Sequence, residues 1–213
     1  RVEIHMVDLK PKARRTDAIQ SFDSQETPIV RITDAEGAVG VGYSYTIGTG
    51  GPSVVALLEH TLAPMLIGRE AEAIQGLWHD MLFATHATAV GAITSLAMAA
   101  IDTALWDLRC KRAGLPLWIM AGGARENVPL YSTEGGWLHI EPRALIDDAL
   151  QVQAQGFLGS KVKIGKPHLS EDRARLAALR EGVGPSYEIM GDANQSFTLS
   201  ESMRRARMLE EIG

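Results

Sequence analysis

Gly159-Ser160-Lys161-Val162-Lys163-Ile164-Gly165 is the stretch on which the reading of this chain turns. In an extended strand, residues i and i+2 face the same side, so Lys161 and Lys163 point one way while Val162 and Ile164 point the other. A parallel strand covered by helices puts Val162 and Ile164 beneath them. The lysines then point into a barrel interior, or toward the strand ends if the sheet is open. Two ammonium groups held together away from water disfavour their own charged forms, by desolvation and by mutual repulsion. Such a setting brings a lysine from about 10.4 toward 7–8, where it serves as a base. A solvated edge strand carrying two ordinary lysines fits the same letters, and the pair alone does not decide between them.

The neighbouring segments weigh on that choice. Glu188-Ile189-Met190-Gly191-Asp192-Ala193-Asn194-Gln195 reads as an apolar strand with an acid at its C-terminal end, where α/β proteins place their sites. Beside two lysines of the adjacent strand, Asp192 is a suitable ligand for a hard divalent ion such as magnesium, with Asn194 as a weaker oxygen donor or a partner behind it. Turn or helix-capping chemistry ahead of the next helix accounts for Asp192 equally well. From residue 128 onward the pattern alternates strictly: strands over 128–133, 158–165 and 187–191, helices over 143–155, 171–181 (Ser170 as N-cap) and 200–211. Three βα units with short apolar strands imply parallel pairing and open either a doubly wound sheet or an eightfold barrel.

Upstream the chain reads differently. Val2, Ile4, Met6 and Leu9 mark a first strand, and two further strands flank the turn Asp34-Ala35-Glu36-Gly37. Residues 14–26 form a polar stretch without a clear period, long for a connection. Helical stripes follow: Val55, Leu58 and Leu62; Ile74, Leu77, Trp78 and Met81; then a long third helix carrying Ile93 through Leu108 that stops at Gly114 and Pro116. Residues 1–125 therefore read as a small antiparallel sheet on a helical layer.

Composition excludes several classes. The 213 residues suffice for a sizeable core, and 46% hydrophobic with 22% charged residues is a globular balance. Lysine plus arginine is 21 against 26 acids, a net charge of −5 with no polybasic block, which argues against nucleic acid or an anionic membrane as partner. The single cysteine, Cys110, excludes an internal disulfide framework and fits a reducing cytoplasm. Residues 89–106 are the most apolar stretch, but they carry Thr94, Ser95, Asp102 and Thr103 and are alanine-rich, so they read as a core helix rather than a membrane span. Gly40-Val41-Gly42 lacks the third glycine of a dinucleotide fingerprint, and 159–166 lacks phosphate-loop spacing. The six histidines have no zinc spacing, and Cys110 reads as a packing residue. Trp137 and His139, after the first strand of the alternating half, are candidates for a pocket wall or a plain loop.

Four segments in order resemble the enolase superfamily, and within it the mandelate racemase/muconate lactonizing enzyme family. They are Ala100-Ile101-Asp102-Thr103-Ala104-Leu105-Trp106-Asp107-Leu108, Gly114-Leu115-Pro116-Leu117, Lys161 to Gly165 as quoted, and Asp192-Ala193-Asn194-Gln195. The resemblance covers essentially the whole chain. It implies an α+β capping domain over 1–125, followed over 126–213 by the first three βα units of a modified TIM-type (β/α) barrel, incomplete in this chain. It implies magnesium-assisted removal of the proton α to a carboxylate through an enediolate, a use of lysine bases with magnesium known in that superfamily. By the match Lys163 is the base, Lys161 neutralises the substrate carboxylate and lowers the pKa of Lys163, and Asp192 is the first metal ligand. Residues 14–26 and Thr46-Ile47-Gly48-Thr49-Gly50-Gly51 match the family's substrate-selecting loops, with Thr46, Gly48 and Thr49 as candidate loop residues.

The other two metal carboxylates and the second acid/base residue of the family lie on later strands. The sequence is therefore expected to be the N-terminal part of a longer protein and inactive by itself. Dehydration of a sugar acid is the leading expectation, favoured by the segment 128–139, and racemisation of a 2-hydroxy acid is the alternative. A Schiff-base lysine aldolase and a non-catalytic fragment are the readings from other classes. Family precedent also predicts a homo-oligomer acting on a small carboxylate.

Overall fold

In the computed structural model, which describes residues 1–89 and 91–213, the alternation of the first residues becomes β1 (Val2–Asp8). A hairpin of two-residue strands, β2 (Arg15–Thr16) and β3 (Ser21–Phe22), precedes β4 (Glu26–Thr33) and β5 (Val39–Tyr43). The chain divides into two compact units: Arg1–Lys12 with Asp23–Glu126, and Ala13–Phe22 with Asn127–Gly213.

In the first unit β1, β4 and β5 form an antiparallel sheet in that order, running from Val2 opposite Ile32 to Asp8 opposite Glu26. The turn between β4 and β5 is closed by Asp34, whose Oδ1 accepts the N–H groups of Glu36 and Ala38, both at 2.9 Å. Helix α1 (Gly51–Leu57) continues through a π turn (Leu58–Leu62) into α2 (Ala63–Leu66), and α3 (Ile74–Ala84) follows. Val54, not Val55, is fully buried with Leu58 and Leu62, because positions four apart stay on one side through the wider π turn. The long helix α4 (Ala92–Ala113) ends at Gly114, whose φ of 65° is the left-handed conformation that closes a helix.

That helix lies on β5, and its alanines explain the contact. A Cβ at Gly40 or Gly42 would overlap the carbonyl oxygens of Ala104 and Ala100, so glycine on the strand and alanine on the helix together permit the close approach. The glycine pair is thus a packing device. Val90 lies outside the described residues; from Ala92 the apolar stretch 89–106 is core helix, with Ala97, Ala100, Ile101, Ala104 and Leu105 buried. Among the described residues no helix is long and apolar enough to cross a membrane. A short α5 (Leu117–Met120) follows.

The second unit is built on three parallel strands, β6 (Tyr131–Ser132), β7 (Gly159–Lys163) and β8 (Glu188–Asp192), in that order. Helices α6 (Pro142–Ala154), α7 (Leu169–Val183) and α8 (Leu199–Ile212) alternate with them. Leu145 and Ala149, Leu176, Leu179 and Val183, and Met208 cover Val162 and Ile164. The first strand is shorter than its apolar run. Pairing starts with Tyr131 opposite Gly159, where β7 itself begins, and Val128 and Leu130 upstream remain exposed. Helix α7 begins earlier than expected: the N-cap is His168 rather than Ser170, and the His168 N–H donates to Glu171 Oε2 at 2.8 Å.

The polar stretch without a period contributes the β2–β3 hairpin to this second unit. Asp17 Oδ1 accepts the N–H groups of Ile19 (2.8 Å) and Gln20 (2.9 Å), which closes its turn. The Leu138 N–H donates to the Thr16 carbonyl at 2.8 Å, and Ala18 sits against Gly165, where a Cβ would overlap it.

Candidate active site

The alternation in β7 places its residues as the sequence demands: Val162 and Ile164 are buried under the helices, and the two lysines occupy the other face. Lys163 is 8% exposed, whereas the side chain of Lys161 retains 30% of its surface. The register sets Lys163 opposite Asp192, the last residue of β8. Lys163 Nζ donates to Asp192 Oδ2 at 2.7 Å and to Asn194 Oδ1 at 2.7 Å, and Lys161 Nζ lies 3.4 Å from the same Asp192 Oδ2. Two lysines, one carboxylate and one amide thus meet at the C-terminal ends of two parallel strands.

The turn after β8 aims the amide. Asn194 and Gln195 have φ of 47° and 63°, a left-handed pair without glycine. Asparagine tolerates this conformation through local hydrogen bonding, and here its N–H donates to Asp192 Oδ1 at 3.0 Å. Gln195 has no such help, and a left-handed residue of its kind costs about 1–2 kcal/mol. Burial raises the pKa of Asp192; the Lys163 hydrogen bond, the Asn194 N–H and the charges of Lys163 and Lys161 outweigh it, and the net shift is downward.

An aromatic wall completes the cluster. Lys163 Nζ lies 5.3 Å from the centroid of the Trp137 ring, and the Arg15 guanidinium lies 5.5 Å from it. Phe22 meets Trp137 edge-on at 5.8 Å, and Lys161 Nζ is 5.9 Å from the Tyr131 ring. Gly136 makes this possible: its backbone lies on β7, where any Cβ would overlap the Lys161 carbonyl, and its own carbonyl accepts the Lys163 N–H at 2.7 Å. Of the two residues singled out after the first strand, Trp137 reaches Lys163 and His139 is exposed.

Behind the strand ends lie buried charges that reading the sequence did not single out. Asp172, fully buried, accepts the N–H groups of Gly165 (2.8 Å) and Lys166 (3.3 Å) and pairs with Arg205. Arg205 also binds Glu201 Oε1 at 2.7 Å. Arg175 donates to the carbonyls of Lys163 and Trp137, both at 2.8 Å. The available signal was their position: Asp172 and Arg175 share the inward stripe of α7 with Leu176, Leu179 and Val183.

The candidate loop residues belong to the first unit. Thr46 is buried, and its hydroxyl donates to Glu26 Oε2 at 2.8 Å, an oxygen that also accepts the Gly51 N–H at 2.7 Å. Gly48 has a φ of 74° with open space around it, and Thr49 is exposed. Thr46 is therefore committed to holding its own turn, and Gly48 and Thr49 form its free tip.

Asp192 is the right kind of donor for magnesium, a hard oxygen at a strand end, but one carboxylate is not a magnesium site. Among the described residues no group of three or more His, Cys, Asp or Glu side chains could hold an ion. These residues fit a share in a metal site and do not make one alone.

The sequence model of the mandelate racemase / muconate lactonizing enzyme N-terminal domain matches residues 1–122, and that of the enolase C-terminal domain-like group matches 144–213. The chain is 40% identical to 3,6-anhydro-alpha-L-galactonate cycloisomerase of Streptomyces coelicolor, over 84% of this chain and 50% of the relative. It is 34% identical to L-talarate/galactarate dehydratase of Salmonella typhimurium, over 86% of this chain and 46% of the relative. Among solved structures, a racemase from Streptomyces coelicolor A3(2) with bound magnesium superposes with a TM-score of 0.94 at 36% identity, covering 100% of this chain and 59% of that one. The chain thus spans about half the length of the curated relatives it matches. With a family match over more than half of its residues, the chain belongs to the mandelate racemase / muconate lactonizing enzyme family of the enolase superfamily.

Proposed function

We propose that the protein containing this chain removes the proton α to the carboxylate of a sugar acid, with Lys163 as the base, and completes a dehydration. The observation that supports this most directly is Lys163 itself: an almost fully buried amine at a strand end, held by Asp192 and Asn194 and backed by Trp137. A carbon acid of this kind is weak, so its base must be positioned in a water-poor site and its developing oxyanion must be stabilised. To Lys161, more exposed and on the same face, we assign the substrate carboxylate. Asp192 would contribute one carboxylate ligand to magnesium. When bound, the ion supplies electrostatic stabilisation of the negative charge that grows as the proton leaves. The partner this chemistry needs is a small carboxylate, not a nucleic acid or a membrane.

In the dehydration, the C2–H bond breaks and its proton goes to Lys163 Nζ. The C3–O bond then breaks, hydroxide leaves as water with a proton from an acid outside this stretch, and the resulting enol becomes a 2-keto-3-deoxy acid. The dehydratase among the relatives supports this outcome. Racemisation shares the first step and returns a proton to the opposite face; the superposed racemase favours keeping it as the second reading.

The test is a panel of hexarates and hexonates incubated with the whole protein and magnesium in D2O, followed by NMR. The expected result is deuterium exchange at C2 with appearance of a 2-keto-3-deoxy product, and loss of both by about 10²–10⁴-fold in Lys163→Met. Inversion at C2 without loss of water would assign racemisation instead. Borohydride trapping of a keto acid on Lys161 or Lys163 without magnesium would assign Schiff-base chemistry and overturn the proposal.

A further inference from the structure

We propose that Arg175 is a positioning residue for Lys163: from the far side of the sheet it locks the backbone of the base to the backbone of its aromatic wall. The inference rests on the role proposed for Lys163. Arg175 is carried on α7, and its residue is 4% exposed. Its two terminal nitrogens reach different segments, Nη1 the carbonyl of Lys163 and Nη2 the carbonyl of Trp137, each at 2.8 Å.

The geometry of a strand explains why these two carbonyls need a shared donor. In an extended residue the N–H and C=O point to the same side. The Lys163 N–H donates to Gly136, so the Lys163 carbonyl faces the connection that follows β6. The β6 strand has already ended at Ser132, so the regular ladder does not extend to this level. A planar guanidinium with fixed donors spans the gap between two carbonyls in one geometry, which an ammonium cannot do.

The arrangement is not one that stability alone would select. The guanidinium makes no ion pair within 4 Å among the described residues, and its Nε is buried without a hydrogen-bond partner there. Burial lowers its pKa from the usual arginine value, against the pull of the Asp172 and Glu141 charges. A buried cation satisfied only by carbonyls is costly to desolvate. Its two bonds instead converge on the residue that carries the base and the residue on which that base rests, 5.3 Å from ring to Nζ. A displacement of about 1 Å at such a centre is enough to cost about 10²-fold in rate.

The experiment compares Arg175→Met and Arg175→Lys with the unaltered whole protein. In Arg175→Met we expect kcat for α-proton exchange to fall at least tenfold with KM changed less than threefold, in protein whose urea midpoint shows it folded. Arg175→Lys, able to reach one carbonyl, is expected to recover part of the loss. Because lost turnover could also reflect a wrong assignment of Lys163, amide hydrogen exchange is measured in parallel on the peptides covering 134–140 and 158–165. Faster exchange confined to these two peptides supports the lock even if no sugar acid turns over. Unchanged kcat, or unchanged exchange in both peptides, in folded Arg175→Met overturns the proposal. A Met variant that fails to fold while Arg175→Lys is fully active with unaltered exchange overturns it too.

Discussion

Replacing Asp172 by asparagine removes one charge and changes almost no volume, which makes it a clean probe of the buried network behind β7. The carboxylate is fully buried and accepts from the Gly165 N–H at 2.8 Å, the Lys166 N–H at 3.3 Å and Arg205. Breaking a buried ion pair from one side costs about 3–5 kcal/mol, chiefly because the other charge is left uncompensated. Two features of this site place the expected cost at the lower end. Asparagine retains one acceptor oxygen, which can serve one of the two backbone N–H groups now bound to different carboxylate oxygens, and Arg205 keeps Glu201 at 2.7 Å and the Lys166 carbonyl at 3.1 Å. We therefore expect a loss of about 3 kcal/mol, read as a shift of the urea midpoint at pH 7 with an unchanged slope. The double variant Asp172→Asn with Arg205→Met should be less impaired than the sum of the single ones, because it leaves no orphan charge. A loss below about 1 kcal/mol, or strict additivity in the double variant, would refute the view that this pair fixes the Gly165–Lys166 segment.

Two further outcomes follow from the strand ends. Asp192 has a folded pKa below its ordinary value of 3.8, so its stabilisation is complete above that value and is lost as pH falls through the folded pKa. The stability gap between the unaltered protein and Asp192→Asn should accordingly be constant near neutrality and shrink below about pH 4; a gap that widens in acid would contradict the sign. At Gly136 an added methyl would overlap the Lys161 carbonyl and press on the Val162 backbone. Gly136→Ala should cost about 1–3 kcal/mol by overpacking and should lower α-proton exchange through displacement of Trp137, as measured by urea unfolding and NMR. Unchanged stability would mean that the 134–137 connection moves freely.

What could be read from the sequence was whatever has a short period. Alternation over Lys161 to Ile164 requires only the geometry of one strand, so seven letters set Lys161 and Lys163 on one face and Val162 and Ile164 on the other, while the burial of the second face took the neighbouring segments to argue. The long helix with its stop at Gly114 is equally local, being set by a stripe and a left-handed cap. Register is not local, and here errors appear. The run at 128–133 has strand composition throughout, yet only Tyr131 and Ser132 pair, because β7 offers a partner only from Gly159 onward. The hairpin within the polar stretch was invisible for a related reason: two-residue strands leave no period, and its sequence cue is a single Asp17 turn.

The buried charges show a different limit, and it bears on how the site should be understood. On a helix drawn in isolation, Asp172 and Arg175 fall on the inward stripe of α7 with nothing to show what would pair them, and charged residues are almost never fully buried unless paired. Each becomes intelligible only through partners far away in sequence: Arg205 thirty-three residues from Asp172, and the carbonyls of Lys163 and Trp137 for Arg175. Desolvation makes such groups expensive wherever they occur, so their concentration behind the two strands that carry Lys163 and Asp192 calls for a local cause. Rigid placement of the strand ends supplies one. Asp172 fixes the backbone just after Lys163, Arg175 bonds the Lys163 carbonyl, and the lysine we propose as the base is thereby held by backbone on one side and by Asp192 and Asn194 on the other.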